Sequence, residues 1–182
     1  MTLRNTTSRY GTLSISLHWL MLLLIAAVYV CMELRGIFPK GSAGRDGMKT
    51  WHYMLGLSVL VLAAIRLVLT LTSPMPRIEP PPGRWVILAS HVSHAALYAF
   101  MLLMPILGWL LLSGEGDPVP FFGLDLPPLA GADKAFAKSV KELHETIGNL
   151  GYYLIGLHAA AALFHHYFQH DNTLTRMLPT RR

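Results

Sequence analysis

The sequence has little charge and only one cysteine. Of its 182 residues, 14% are charged and 53% are hydrophobic, whereas a soluble domain carries about 25% charged residues. Because Cys31 is the only cysteine, an internal disulfide and a metal cluster held by several cysteines are both excluded. The sequence contains no low-complexity tract and no obvious repeat. The shortage of charge therefore argues against a soluble domain and directs attention to the apolar segments.

The positive charge does not indicate a nucleic-acid-binding protein. The formal net charge is +5 and the isoelectric point is about 9.6. Lysines and arginines are scattered between apolar blocks and form no single basic face. This pattern favours contact with anionic lipid head groups and makes nucleic acid an unexpected partner.

Charged residues are missing from four long blocks, each near or above the roughly 20 residues that cross a bilayer as a helix. We therefore predict an all-α integral membrane protein, an up-and-down four-helix bundle that forms a single membrane domain over residues 1–182. The predicted spans are residues 10–34, 50–72, 85–113 and 140–168. The first block could instead be read as a signal peptide, but it is too long and no small-residue cleavage site follows it.

The segments between the blocks are predicted to be loops. Residues 36–47 are rich in glycine, and residues 73–83 and 114–137 are rich in proline. Residues 132–143 look like a polar start of the last helix, and Pro105 is expected to bend the third helix. Four spans place both termini on one side. Basic residues at both termini and in segment 73–83 favour termini in the cytoplasm, although the inner and outer segments carry similar numbers of Lys and Arg.

The first outer loop is unusually basic for a short translocated segment. Its positive residues are Arg35, Lys40, Arg45 and Lys49. One interpretation is that they raise the local concentration of a small anionic substrate. The alternative is a solvated loop that touches lipid phosphates, and the sequence favours neither.

Two histidines on the last predicted helix carry the strongest functional signal. His144 and His158 are fourteen residues apart, which on a helix corresponds to about 21 Å of rise and about 40° of rotation. Ionisable residues inside a span are costly and usually functional. Two ligands on one face at two depths are suited to two stacked metal centres.

Each centre needs a second ligand at the same depth. His52 lies near the outer start of the second helix and is expected to meet His144. His18 lies about two turns into the first helix and is expected to meet His158. Planar haem groups held between paired imidazoles fit this arrangement. Zinc is the competing metal, but it prefers four ligands clustered at one depth. A lone histidine that only hydrogen-bonds to a neighbour is the simplest alternative at each position.

Glycines and further histidines extend this pattern. Gly148 and Gly151 share a face with His144, and Gly56 lies one turn from His52. They predict either room for a porphyrin ring or close helix packing. His165 is one further level inward and is expected to donate a hydrogen bond to a quinone. His91 and His94 lie at that level and are expected to line the quinone pocket or to replace a ligand. His166 is expected at the membrane interface and His170 in solvent.

Three segments resemble the bacterial cytochrome b561 family. They are SISLHWLMLLLIAAVYVCMELRG, WHYMLGLSVLVLAAIRLVL and KELHETIGNLGYYLIGLHAAAALFHHYF, which contain all the histidines discussed as ligands. The block HET…GLHAAAALFHHYF is the most specific of them. The resemblance extends from Arg9 to Arg182.

The resemblance implies four helices and two b haems. It assigns His52 and His144 to a periplasmic haem, His18 and His158 to a cytoplasmic haem, and His165 to a quinone site. Similar members are superoxide oxidases, in which superoxide is the donor and ubiquinone the acceptor. The expected function is thus that of a superoxide:ubiquinone oxidoreductase without an obligate protein partner, since the loops are short and polar.

Two other functions remain open. A haem subunit could relay electrons between a partner dehydrogenase, of the hydrogenase or formate dehydrogenase type, and the quinone pool. A histidine-rich metal transporter without haem is the third hypothesis.

Overall fold

Four long helices form the molecule. The computed structural model describes residues 3–179. The helices are α1 (Thr12–Leu34), α2 (Ala43–Thr72), α3 (Arg84–Glu115) and α4 (Lys134–Phe164). Each is long and apolar enough to cross a membrane. The predicted all-α four-helix bundle is confirmed. The single domain over residues 1–182 stays a prediction, because residues 1–2 and 180–182 lie outside the described residues.

Helix α2 begins seven residues before the predicted span, within the segment that was predicted to be a loop. The Ser42 side chain accepts a hydrogen bond of 3.3 Å from the backbone N–H of Arg45, and Asp46 lies in the first helical turn. Both features stabilise a helix start. The loop prediction for residues 43–47 is therefore wrong, because capping extends the helix beyond the apolar block.

Helix α4 also begins in a polar segment, as its sequence predicted. The Asp133 side chain accepts hydrogen bonds from the backbone N–H groups of Ala135 and Phe136, at 2.9 and 3.0 Å. At its other end, residues His165–Gln169 form a π-helical turn, after which His170 has a φ of 53°. π-helical turns are frequently found at functional sites. Helix α3 continues through Pro105 without a break in its assignment.

A short hairpin covers the outer ends of α2 and α3, within the segment predicted to be an irregular loop. Strands β1 (Val119–Phe121) and β2 (Leu124–Leu126) pair antiparallel. The two turn residues, Phe122 and Gly123, have φ angles of 48° and 88°, which suits a two-residue hairpin turn. Val119 packs against Leu57 and Leu112 in a small apolar cluster. The irregular-loop prediction is wrong for this stretch.

The main hydrophobic core lies near the middle of the bundle. Met21, Val59, Ala63 and Met101 are its buried members, contributed by α1, α2 and α3. Consecutive helices pack along their lengths, but α1 and α4 make little backbone contact. Long side chains connect these two helices instead: the Tyr29 hydroxyl donates to the Gly148 carbonyl at 2.7 Å. Helix α4 therefore packs closely against α3 and lies farther from α1 and α2.

The segment after α4 folds back onto the inner end of the bundle. The backbone carbonyl of Met177 accepts a hydrogen bond of 2.8 Å from the indole N–H of Trp19. The Arg176 guanidinium donates to the Pro76 carbonyl at 2.8 Å, and the backbone N–H of Asn172 donates to the Glu79 carbonyl at 3.1 Å. These bonds fix the C-terminal segment against α1 and the α2–α3 loop.

Candidate functional site

The outer histidine pair joins α2 to α4. The ring centres of His52 and His144 are 6.2 Å apart, with an interplanar angle of 72°. His52 Nδ1 lies 3.1 Å from the backbone carbonyl of Val28. A carbonyl only accepts, so Nδ1 carries the proton and Nε2 is left with its lone pair. Neutral imidazole in this tautomer is the form that ligates metals.

His144 is held against α3. Its ring lies beside Gly108, where an added Cβ would make an ordinary van der Waals contact of 3.4 Å with the imidazole. Its buried Nδ1 makes no hydrogen bond of normal geometry, although the Met104 carbonyl interacts with it weakly. The sequence pattern did not predict the contact with Gly108.

The inner histidine pair joins α1 to α4. The ring centres of His18 and His158 are 6.3 Å apart, with an interplanar angle of 65°. The buried Nδ1 of His18 has no hydrogen-bond partner among the described residues. His94 of α3 joins this group, with its ring centre 5.5 Å from that of His158. Its Nδ1 lies 3.4 Å from the Ser90 hydroxyl.

The spacing within the pairs is suited to a bridging metal. A metal ion with bonds of about 2 Å to imidazoles on opposite sides holds the two ring centres about 6 Å apart, whereas a tetrahedral angle brings them to about 5 Å. The pairs His52–His144 and His18–His158 match the longer separation, and His94–His158 is shorter. Within residues 3–179, no group of three or more His, Cys, Asp or Glu is placed to hold a metal ion. The paired donors therefore fit haem iron with two axial imidazoles better than a tetrahedral zinc site.

The three predicted glycines have different surroundings. A Cβ at Gly151 would collide with the Tyr29 hydroxyl and the Phe100 ring, so this glycine serves helix packing. A Cβ at Gly56 meets nothing within 4 Å, and one at Gly148 meets only Met104, at 3.5 Å. Of the two interpretations left open by the sequence, packing explains Gly151, whereas Gly56 faces open space below His52.

A shallow pocket lies at the inner end of α4. Its walls are Pro80, Pro81, Pro82, Gly83, Val86, His165, Gln169 and Asp171. Nδ1 of His165 lies 2.5 Å from a carboxylate oxygen of Asp171. The other carboxylate oxygen accepts a hydrogen bond of 2.8 Å from the backbone N–H of Thr173. Burial alone would raise the pKa of Asp171, but the hydrogen bonds from His165 and Thr173 lower it below its usual value.

The structure thus places His165 in this pocket, next to a residue that the sequence pattern did not single out. Asp171 is six residues from His165 and lies beyond the last apolar block, where no periodicity connects them. His91 is exposed on α3 and does not line this pocket. His166 is half-buried and His170 exposed, and both line a neighbouring depression together with Asn172.

Two basic side chains of the first outer loop bind to neighbouring groups within the same region. The Arg45 guanidinium donates to the carbonyls of Arg35 and Phe38, both at 3.3 Å. Lys49 forms a salt bridge of 3.0 Å with Asp46. Arg35 is half-buried and Lys40 is exposed. The second outer segment, residues 114–145, contains three lysines but six acidic residues, so the positive field is confined to the first loop.

The outer surface also exposes large apolar side chains. Trp51 is 51% exposed, Phe122 56% and Leu124 66%. The sequence-based expectation of short, polar loops is therefore wrong at the hairpin, where Phe122 in the turn and Leu124 in β2 are exposed. Such residues suit the membrane interface, and they remove the argument against a protein partner.

The chain is similar to known proteins along nearly its whole length. A family model described as prokaryotic cytochrome b561 matches residues 9–180. Two proteins of Escherichia coli are similar: cytochrome b561 homolog 1 is 42% identical, over 96% of this chain and 99% of that protein, and cytochrome b561 homolog 2 is 30% identical, over 98% and 95%. A probable superoxide oxidase CybB of Yersinia pestis is 38% identical, over 96% of this chain and 98% of that protein.

Proposed function

Because the chain belongs to the prokaryotic cytochrome b561 family, we propose that it transfers electrons from superoxide, on the outer side of a bacterial inner membrane, to ubiquinone near the cytoplasmic side. The family consists of haem b-binding membrane cytochromes, so the chain is a multi-pass membrane cytochrome. The two haems, the donor, the acceptor and the orientation, with both termini cytoplasmic, belong to the proposal. The observation that carries it is the stacking of two matched histidine pairs along α4.

The proposal assigns one b haem to each pair. His52 and His144 would hold the outer haem, and His18 and His158 the inner haem. Haem, when bound, accepts and donates single electrons, and filling both axial positions disfavours oxygen binding at iron. The Val28 carbonyl fixes the tautomer of His52. The apolar core around Met21 and Ala63 keeps water out between the two levels.

The proposal places the ubiquinone head group in the inner pocket. His165 would present its Nε2–H to a quinone carbonyl oxygen, while its Nδ1 proton is held by Asp171. Ubiquinone needs two electrons and two protons to become ubiquinol. Asp171 keeps the imidazole oriented toward the pocket through this hydrogen bond. The exposed histidine His91 is a second candidate near this level.

Superoxide is assigned to the outer side because it is a small anion and the first outer loop is basic. Lys40 is exposed and Arg35 lies close enough to His52 to contribute to its electrostatic environment. With Arg45 and Lys49 they produce a local positive field that raises the encounter rate of an anion. No acid–base group is needed, since loss of one electron converts superoxide directly to oxygen. Two superoxide ions are consumed for each ubiquinol formed.

The direct test is superoxide-driven ubiquinol formation by the purified protein. We expect an oxidised-minus-reduced spectrum of two six-coordinate b haems, and two superoxide ions consumed per ubiquinol. His52→Ala should lose the outer haem and superoxide oxidation, while retaining haem reduction by quinol. His158→Ala should lose the inner haem instead.

The same variants separate the alternatives. Two haems that quinol reduces but superoxide does not would favour the relay subunit, for which the exposed Trp51 and Phe122 provide a candidate docking area. A colourless protein with bound zinc would end the haem proposal. If His52→Ala and His158→Ala both retained two six-coordinate haems, the assignment of ligands would be wrong.

A further inference from the structure

An arginine faces the inner histidine pair from within the bundle. Arg66 lies on α2, fourteen residues beyond His52. This is the spacing that separates His144 from His158 on α4, about 21 Å of rise with about 40° of rotation. Between His52 and Arg66, the same face of α2 carries Val59 and Ala63, which are 5% and 0% exposed. On α2, Arg66 therefore lies at the inner level, on the same face that carries His52 at the outer level.

The surroundings of Arg66 contain imidazoles and phenols. His18, His94 and His158 all lie near enough to interact with its charge, and Tyr98 is its hydrogen-bonding neighbour. The Tyr98 hydroxyl is itself 3.0 Å from the Thr70 hydroxyl, which fixes its position. Within residues 3–179, Arg66 forms no salt bridge with an aspartate or glutamate. A guanidinium at this depth lacks a counter-charge from the described chain.

An unpaired cation inside a membrane protein is costly, and such residues pair with a partner or line a functional site. The partner must be an anion that reaches a point beside two imidazoles. Haem b carries two propionate carboxylates on the edge of its ring, and arginine binds carboxylates through two parallel hydrogen bonds. Lipid phosphate is the other anion available to a basic residue near the end of a span. The position of Arg66 on the buried face of α2 favours the carboxylate.

We propose that Arg66 is the carboxylate-binding residue for the haem held by His18 and His158, pairing with one of its propionates. This inference rests on the proposed function only in the placement of the inner haem, and not on the donor or the acceptor. Arg66 would anchor the porphyrin edge at α2 while the two imidazoles hold the iron between α1 and α4. All three of these helices would then contact one cofactor.

The first test is a redox titration of the purified holoprotein, comparing wild type with Arg66→Met, Arg66→Lys and the control Arg77→Met. Arg77 is an exposed arginine of the inner loop, so its removal changes the charge on the same side of the membrane. We expect Arg66→Met to lower the potential of one haem by a tenfold shift in its reduction equilibrium, about 59 mV for one electron. Arg66→Lys should recover part of the shift, and Arg77→Met should leave both haems unchanged. In resonance Raman spectra, the propionate bending band should move in Arg66→Met alone.

The second test separates a propionate partner from a lipid phosphate or a free positive charge. Apoprotein is reconstituted with haem b or with its dimethyl ester, and the rate of haem loss on warming is measured. With haem b, Arg66→Met should lose one haem at least several-fold faster than wild type. With the dimethyl ester, wild type and Arg66→Met should lose it at the same rate. A difference that persists with the ester would overturn the proposal, even if the potential falls.

If Arg66→Met does not fold, wild type alone still tests the pairing. It should lose the dimethyl ester faster than it loses haem b. If Arg66→Met matched Arg77→Met in haem potential, Raman band and haem retention, the proposed pairing would be refuted. If wild type itself held fewer than two haems, the proposed function would fail instead, so the two failures are distinguishable.

Discussion

At the residue scale, three imidazoles lie together at the inner level, where two of them are proposed to bind haem iron. His18 and His94 both lie beside His158, but from different helices and at different ring separations, 6.3 and 5.5 Å. The longer separation suits two rings on opposite sides of one metal, as proposed for haem iron, whereas the shorter one is closer to that of a tetrahedral site. His94 also has a hydroxyl neighbour, Ser90, whereas the buried Nδ1 of His18 has none. The spacing therefore favours His18 over His94 as the second ligand of the proposed inner haem.

Replacing these two histidines separately tests that selection. We expect His18→Ala to convert the inner haem to a high-spin form or lose it, because one axial bond is removed. His94→Ala should keep both haems six-coordinate and low-spin, with at most a shift in potential. Low-temperature electron paramagnetic resonance distinguishes the two results. The opposite pattern would identify His94 as the ligand.

Asp171 gives the inner pocket a defined dependence on pH. Its pKa is lowered in the folded protein from an ordinary value of 3.8. A lowered carboxyl pKa stabilises the fold above the unfolded value, and this contribution is lost as the pH falls through the folded value. The thermal midpoint of wild type should therefore exceed that of Asp171→Asn at neutral pH by a constant margin. The margin should shrink below about pH 4.

The matched control for Asp171→Asn is the exposed Asp125→Asn in the hairpin. That variant should follow wild type at every pH. An Asp171→Asn margin that stays constant down to pH 2 would show that the carboxylate does not stabilise the folded segment through its charge. At neutral pH, Asp171→Asn should also slow quinone reduction without changing either haem spectrum.

At the scale of helices, α4 combines two requirements on one face. It carries both His144 and His158, and between them Gly151 packs against Tyr29 and Phe100. The Tyr29 hydroxyl donates to the Gly148 carbonyl, so α1 and α4 are joined at a point between the two histidine levels. Gly151 therefore allows side chains of α1 and α3 to pack against α4 between the two histidine levels.

Gly151→Ala should therefore destabilise the protein despite the higher helix propensity of alanine. The added methyl group collides with Tyr29 and Phe100, and overpacking of this kind costs about 1–3 kcal/mol. The control is Gly156→Ala, since a Cβ at this exposed position meets nothing within 4 Å. Thermal unfolding in detergent should show a lower midpoint for Gly151→Ala only. Equal midpoints would contradict the packing role.

The elements also show what sequence reasoning can and cannot reach. The four spans follow from apolar length, and the facing of His144 and His158 follows from helical periodicity. The early start of α2 depends on the Ser42 cap, and the hairpin depends on positive φ angles at Phe122 and Gly123. Neither the cap nor the turn raises the hydrophobicity from which the spans are predicted. Asp171 and Arg66 acquire their meaning from tertiary placement, so no local pattern could assign their partners.

At the scale of the whole molecule, the two predicted outer segments differ in charge. The first outer loop is basic, while the second outer segment has twice as many acidic residues as lysines. An anion approaching the outer face is therefore attracted to one side of it. The proposed attraction of an anion therefore depends on the first loop, in which the basic residue Lys40 is exposed.

The rate of superoxide oxidation should fall as ionic strength rises, because salt screens attraction beyond about 10 Å at 0.1 M. Lys40→Glu should lower the rate constant at low salt several-fold and reduce its salt dependence. Lys138→Glu, in the acidic second segment and 4.0 Å from Glu142, should have a smaller effect. Stopped-flow measurement with pulsed superoxide provides the rates. A salt-independent wild-type rate would remove electrostatic attraction while leaving electron transfer intact.

The separation of the two histidine levels along α4 has an energetic consequence. In the proposed orientation, each electron that passes from the His52–His144 level to the His18–His158 level carries negative charge inward through most of the hydrocarbon layer. The protons that complete ubiquinol come from the inner side and do not cross it. Each turnover would then build voltage, negative inside, against which a full crossing costs about 2.3 kcal/mol per 100 mV. Disposal of a toxic radical and charging of the membrane would be one event, and an ionophore that collapses the voltage should accelerate it.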